Sequence, residues 1–123
     1  MAEQKRLIRG KVAGSINEYN VSVILDELLE KKVISHWEYQ VPLRGGQGGV
    51  AGGISVDFVV YDPHPRPLEC MDKYWHSGQM GSNDNYRIGV IRSRYRREPD
   101  ILWSEQTKTL DKARESVRNL YAR

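Results

Sequence analysis

ISVDFVVY-DPHPRP-LECM, residues 54–71, is the stretch that decides how this chain folds. Residues 54–61 are rich in β-branched and aromatic side chains, the composition of a strongly buried strand. Residues 62–67 read as a proline turn, and 68–71 as a short partner strand. The resulting hairpin places Asp57 close to Glu69. A carboxylate inside so apolar a strand is costly to bury unless it is paired, hydrogen-bonded or metal-bound.

Working outward, residues 36–42 (HWEYQVP) form a further strand closed by proline. Between the two strands lies RGGQGGVAGG, residues 44–53, with six glycines. It reads as a turned connection, and not as a phosphate-binding loop, since no lysine or serine follows at the required spacing and no helix comes next. Upstream, Ser15 and Glu18 make a capping box for a helix over 15–31, with Val21, Ile24, Leu25 and Leu28 as its apolar stripe. Residues 1–12 read as a basic N-terminal arm. Downstream, the pattern predicts a helix over 84–96 with Ile88, Ile91 and Tyr95 on one face. A strand over 100–103 (DILW) and a helix over 108–121, striped by Leu110, Ala113, Val117, Leu120 and Tyr121, complete the chain. The order is α-β-β-β-α-β-α: an α/β sandwich with a short mixed central sheet, one domain over residues 13–123.

Composition agrees with a single core. The 123 residues are 39% hydrophobic and 28% charged, too apolar for a disordered tail. One cysteine, Cys70, excludes an internal disulfide, and no apolar run has the length of a membrane helix or a signal peptide. The expected location is cytoplasmic, or a virion if the protein is packaged. The net charge of +3 is unevenly spread: residues 1–83 carry 9 basic and 10 acidic side chains, residues 84–123 carry 10 and 6. Arg92, Arg94, Arg96 and Arg97 crowd into six positions, a cluster suited to neutralising phosphates and equally the mark of a solvated basic helix end. Trp37, Trp75 and Trp103 read as core fillers, and Tyr86 and Tyr95 either stack on bases or pack the helix on the sheet.

Two hard carboxylates on adjacent strands suit Mg²⁺ and leave positions for water and a phosphate. The same spacing also fits two acids each paired with an arginine. Taken together, SINEYNV (15–21), YQVPLRGG (39–46), GGISVDFVV (52–60), LECM (68–71) and YWH (74–76) resemble the PD-(D/E)XK nuclease superfamily. The likeness is to its small single-domain branch near the very-short-patch-repair endonucleases and related phage-encoded proteins, and it runs over residues 13–122. The resemblance implies a restriction-endonuclease-like fold that binds Mg²⁺ or Mn²⁺ through Asp57 and Glu69. It matches Glu18 to the first-helix acid that contacts metal through water, and Gln40 to a polar residue at the site's edge. His76 matches the histidine that the repair-type branch uses near the scissile phosphate. DNA is the implied partner, held by Arg92, Arg94, Arg96, Arg97 and Arg44; no membrane is expected.

One position departs from the pattern. Where the family places a lysine two residues after the glutamate, this chain has Met71, which offers neither proton nor charge. Lys73 is in register but about 6.7 Å further along a strand, and His76 is the alternative general base. Two functions therefore follow from the resemblance. One is a metal-dependent DNA endonuclease weakened at Met71. The other is a catalytically degenerate relative that binds DNA or assembles, as a homo-oligomer or with viral-particle proteins.

Overall fold

A computed structural model describes residues 6–43, 54–72 and 82–121. Helix α1 spans Ile16–Glu30, and the Ser15 hydroxyl accepts the Glu18 N–H at 3.1 Å, the Ser15 half of the expected capping box; the Glu18 carboxylate meets the Ser15 hydroxyl and Tyr39 instead. Val21, Ile24, Leu25 and Leu28 are buried, each worth about 1.5–3 kcal/mol of transfer free energy. The helix ends in a Schellman turn: Lys32 takes a φ of +62° while the Val33 and Lys32 N–H groups reach back to the carbonyls of Leu28 and Leu29.

Four strands follow in the sheet order β3-β4-β5-β6: β3 (His36–Leu43), β4 (Ile54–Tyr61), β5 (Pro65–Met71) and β6 (Asp100–Trp103). The first three form an antiparallel meander. The chain then crosses over through α2 (Ser82–Tyr95) and returns as β6, parallel to β5. A short helix α3 (Ser104–Thr107) leads into α4 (Leu110–Tyr121). The result is a mixed α/β architecture in three layers. Side chains of α1 and α4 pack with Trp37, Tyr39, Phe58 and Val60 on one face of the sheet. On the other face, Val90, Ile91 and Tyr95 of α2 pack with Val41, Leu43, Val56 and Val59. Among the described residues no helix is long and apolar enough to cross a membrane.

The division of side chains between these two cores is irregular at a point that matters for the site. Tyr39 and Val41 are two residues apart on one strand, as are Val56 and Phe58, and such pairs normally share a face. Here each pair is divided between the two cores. The change of face falls at Gln40 and Asp57, the one opposed pair missing from the β3–β4 ladder, where Gln40 has a φ of +51°.

Three expectations are corrected. Residues 7–12, expected to belong to a loose arm, form a hairpin, β1 (Leu7–Ile8) with β2 (Lys11–Val12). Its two-residue turn, Arg9-Gly10, has positive φ at both positions, the signature of a type I′ turn. Ile8 is buried and Arg9 stacks 3.9 Å above the Trp37 ring, so charged residues anchor this segment through their stems and faces. The proline turn is shorter than expected: Pro65 already lies in β5, upstream of Leu68 where β6 joins, so a proline there removes no donor from that neighbour. Leu110, assigned to the apolar stripe of α4, is exposed, while Ala113, Val117 and Tyr121 carry the packing.

Candidate active site

The β4–β5 ladder stops at Phe58 opposite Leu68, one pair short of Asp57 and Glu69. From there side chains replace the backbone bonds. The Asp57 N–H donates to Glu69 Oε2 at 2.8 Å, and the Cys70 N–H donates to Asp57 Oδ2 at 2.9 Å. Each acid thus satisfies backbone that the parting strands leave unpaired. The Glu69 side chain is 1% exposed and that of Asp57 14%, so the expected hairpin does bring the two carboxylates together.

The cation between them is Arg87, reaching in from α2. Its Nη2 lies 3.0 Å from Asp57 Oδ1 and 2.9 Å from Glu69 Oε1, and its Nε donates to the Ser55 carbonyl at 3.2 Å. Of the two arrangements that the spacing allowed, the structure holds the arginine-paired one, with a single guanidinium serving both acids. Burial, reinforced by the Asp57 charge, pushes the Glu69 carboxyl up to about 8, and the guanidinium opposes this without cancelling it.

Glu18 stands on the α1 side of this pair, and its carboxylate is turned back toward its own helix start. Tyr39 Oη donates to it, and the Ser15 hydroxyl contacts it at 3.3 Å. It lies against Gly14, where a Cβ would meet the carboxylate oxygens at 3.0 and 3.1 Å. Burial raises the Glu18 pKa; the Tyr39 bond opposes the rise and the Asp57 charge adds to it. Beside it, Gln40 Nε2 reaches Tyr39 Oη at 3.4 Å, while Lys11 of the N-terminal hairpin donates to the carbonyls of Tyr39 and Gln40. The irregular turn of β3 is thereby held from outside. A cleft of about 200 Å³ opens between Glu18, Cys70, Met71, Asp72 and Ser104. The Cys70 thiol borders it, but burial first and then the surrounding carboxylates push its pKa well up, which leaves an inert thiol.

Of the predicted site residues, the structure therefore joins Asp57 and Glu69 and sets Glu18 and Gln40 next to them. His76, Lys73, Trp75 and Arg44 lie outside the described residues. The arginine cluster sits at the end of α2 and beyond it. Arg92 pairs with Glu98, Arg97 lies 4.0 Å from Asp100, and Arg94 and Arg96 are exposed. Arg87 is the site residue that sequence reasoning did not single out. The signal was present: it precedes Ile88 and lies one turn before Ile91, so helical spacing puts it at the border of the buried stripe.

Mg²⁺ or Mn²⁺ fits the donor set in part. Two hard carboxylates with one oxygen each directed at a common point meet the modest protein-ligand requirement of Mg²⁺, which keeps waters and takes phosphate oxygens. Among the described residues no three His, Cys, Asp or Glu side chains lie close enough to share a metal ion. No protein-family model, curated protein or solved structure matches the chain.

Proposed function

We propose that the protein is a divalent-cation-dependent DNA endonuclease of restriction-endonuclease-like fold, with Asp57 and Glu69 as the metal-holding acids. The observation that carries this reading is the convergence of Asp57 Oδ1 and Glu69 Oε1 on one cation at the point where β4 and β5 part. The mixed four-stranded sheet and the order of helices and strands around it are compatible with that fold. A metal ion held there supplies Lewis-acid stabilisation of a phosphate's developing charge. Glu18, fixed by Tyr39 and Ser15, orders water at the α1 side of the site. His76 keeps the role of proton acceptor for the attacking water. Arg94, exposed and about 10 Å along α2 from Arg87 on the same face, is the arginine this reading assigns to backbone phosphate.

A second reading has its own support. Met71 supplies no charge where the family pattern has a lysine, and Arg87 satisfies both acids without any metal. Those two features suit a catalytically degenerate relative that binds DNA or assembles into a particle. Plasmid nicking in Mg²⁺ or Mn²⁺ decides between them. The endonuclease reading expects nicking by the wild type and its loss in Asp57→Asn with the fold retained. Metal-independent DNA retention without nicking is the outcome of the degenerate reading.

A further inference from the structure

Arg87 sits where two carboxylates direct their free oxygens. Asp57 Oδ2 and Glu69 Oε2 are engaged by backbone N–H groups of the opposite strand. Asp57 Oδ1 and Glu69 Oε1 both face Arg87 Nη2, at 3.0 and 2.9 Å, and the same nitrogen also reaches Glu69 Oε2 at 3.1 Å. A divalent ion bound to these oxygens at about 2.1 Å would fall on the guanidinium itself, so the two cations cannot occupy the place together. Arg87 is also the cation that solvent can reach. The Arg87 side chain is 32% exposed and enters from α2, on the far face of the sheet from α1. Arg66 likewise holds two acids and a carbonyl (Asp62, Asp100 and Leu120), but at 16% exposure and with its guanidinium 4.7 Å from the Tyr121 ring centre, a covering that Arg87 lacks among the described residues.

Resting on the reading of Asp57 and Glu69 as metal ligands, we propose that Arg87 is the resident counterion of this pair and exchanges with the divalent ion, which binds only as the guanidinium swings out. The pair is then neutralised in both states, and Arg87 sets the metal concentration at which the site fills. The side chain acts as a competitive plug.

Calorimetric titration of Mn²⁺ into the full chain tests the exchange, using wild type, Arg87→Ala, Arg87→Lys, Arg87→Ala/Glu69→Gln and, as a charge control on the same helix, Arg92→Ala. Arg87→Ala is expected to bind Mn²⁺ at least about tenfold tighter than wild type. Arg87→Lys falls between them, because an ammonium keeps the charge but lacks the second donor that ties Arg87 Nε to the Ser55 carbonyl. Arg92→Ala stays within about twofold, since an exposed charge is screened, and the double variant loses the gain. Equal affinity in wild type and both Arg87 variants overturns the exchange while leaving the two acids as metal ligands. An equal gain in Arg92→Ala also overturns it, by assigning the effect to net charge. Absence of saturable binding in the Arg87 variants overturns the exchange together with the metal reading, and Arg87→Lys carries the comparison if the alanine variant does not fold.

Discussion

Replacing Arg87 by methionine keeps most of the stem and removes the shared guanidinium from Asp57 and Glu69. Stripping one partner from a buried ion pair costs about 3–5 kcal/mol. Two features of the site reduce that figure. The Arg87 side chain is a third exposed, so water reaches the gap, and each acid keeps a backbone N–H donor. The loss expected at pH 8 is therefore about 2–3 kcal/mol. At pH 5 it is smaller, about 1–2 kcal/mol, because Glu69 then holds a proton and its contact with Arg87 is a hydrogen bond rather than an ion pair, while the contact with Asp57 is lost as before. Burial raises the Glu69 carboxyl from 4.5 to about 8, so the folded chain keeps a proton that the unfolded chain has released. Stability conferred by this group is consequently highest at low pH and falls as pH rises between those two values. Without Arg87 the pKa rises further and the decline steepens. Urea denaturation of both proteins at pH 5 and pH 8 reads the effect directly. A difference below about 0.5 kcal/mol at both pH values, or a larger loss at pH 5 than at pH 8, would refute the reasoning.

Other substitutions probe the surroundings of the pair. Tyr39→Phe removes a hydroxyl that donates to Glu18 and accepts the Gly14 N–H, and is expected to cost about 1–2 kcal/mol in thermal denaturation. Arg66→Ala leaves Asp62 and Asp100 without their shared partner and takes away a hydrogen bond to the α4 end; a loss of about 3 kcal/mol is expected by denaturant titration. Arg94→Gln/Arg96→Gln is expected to lower the slope of log DNA affinity against log salt by about 0.9 for each phosphate that is no longer neutralised, with both side chains exposed to reach the backbone. Arg92→Gln, whose guanidinium is held by Glu98, should change that slope less.

Local chemistry made much of this molecule legible in its sequence. The Ser15 cap starts α1 where expected, β4 has the bounds its composition suggested, and Asp57 and Glu69 stand out because apolar strands do not carry carboxylates without a reason. What was not legible depends on contacts distant in sequence. Arg87 resembles its neighbouring surface arginines until β4 and β5 part and offer it two acids. Residues 7–12 carry charges typical of a free arm, yet Arg9 stacks on Trp37 and Lys11 caps carbonyls of β3, contacts that exist only once the sheet is formed. The change of face at Gln40 has no local marker, since a glutamine with positive φ is stabilised by its surroundings and not by its own preference. Nor does periodicity of any kind announce the four-residue α3.

The central claim is that Asp57 and Glu69 are built to share one cation and that this place admits a divalent metal. Anomalous scattering from a crystal equilibrated with Mn²⁺ tests it most directly. The account predicts a single peak about 2.1 Å from Asp57 Oδ1 and Glu69 Oε1, with the Arg87 guanidinium turned away. A map with Arg87 still bridging the two carboxylates and no manganese between them would contradict it.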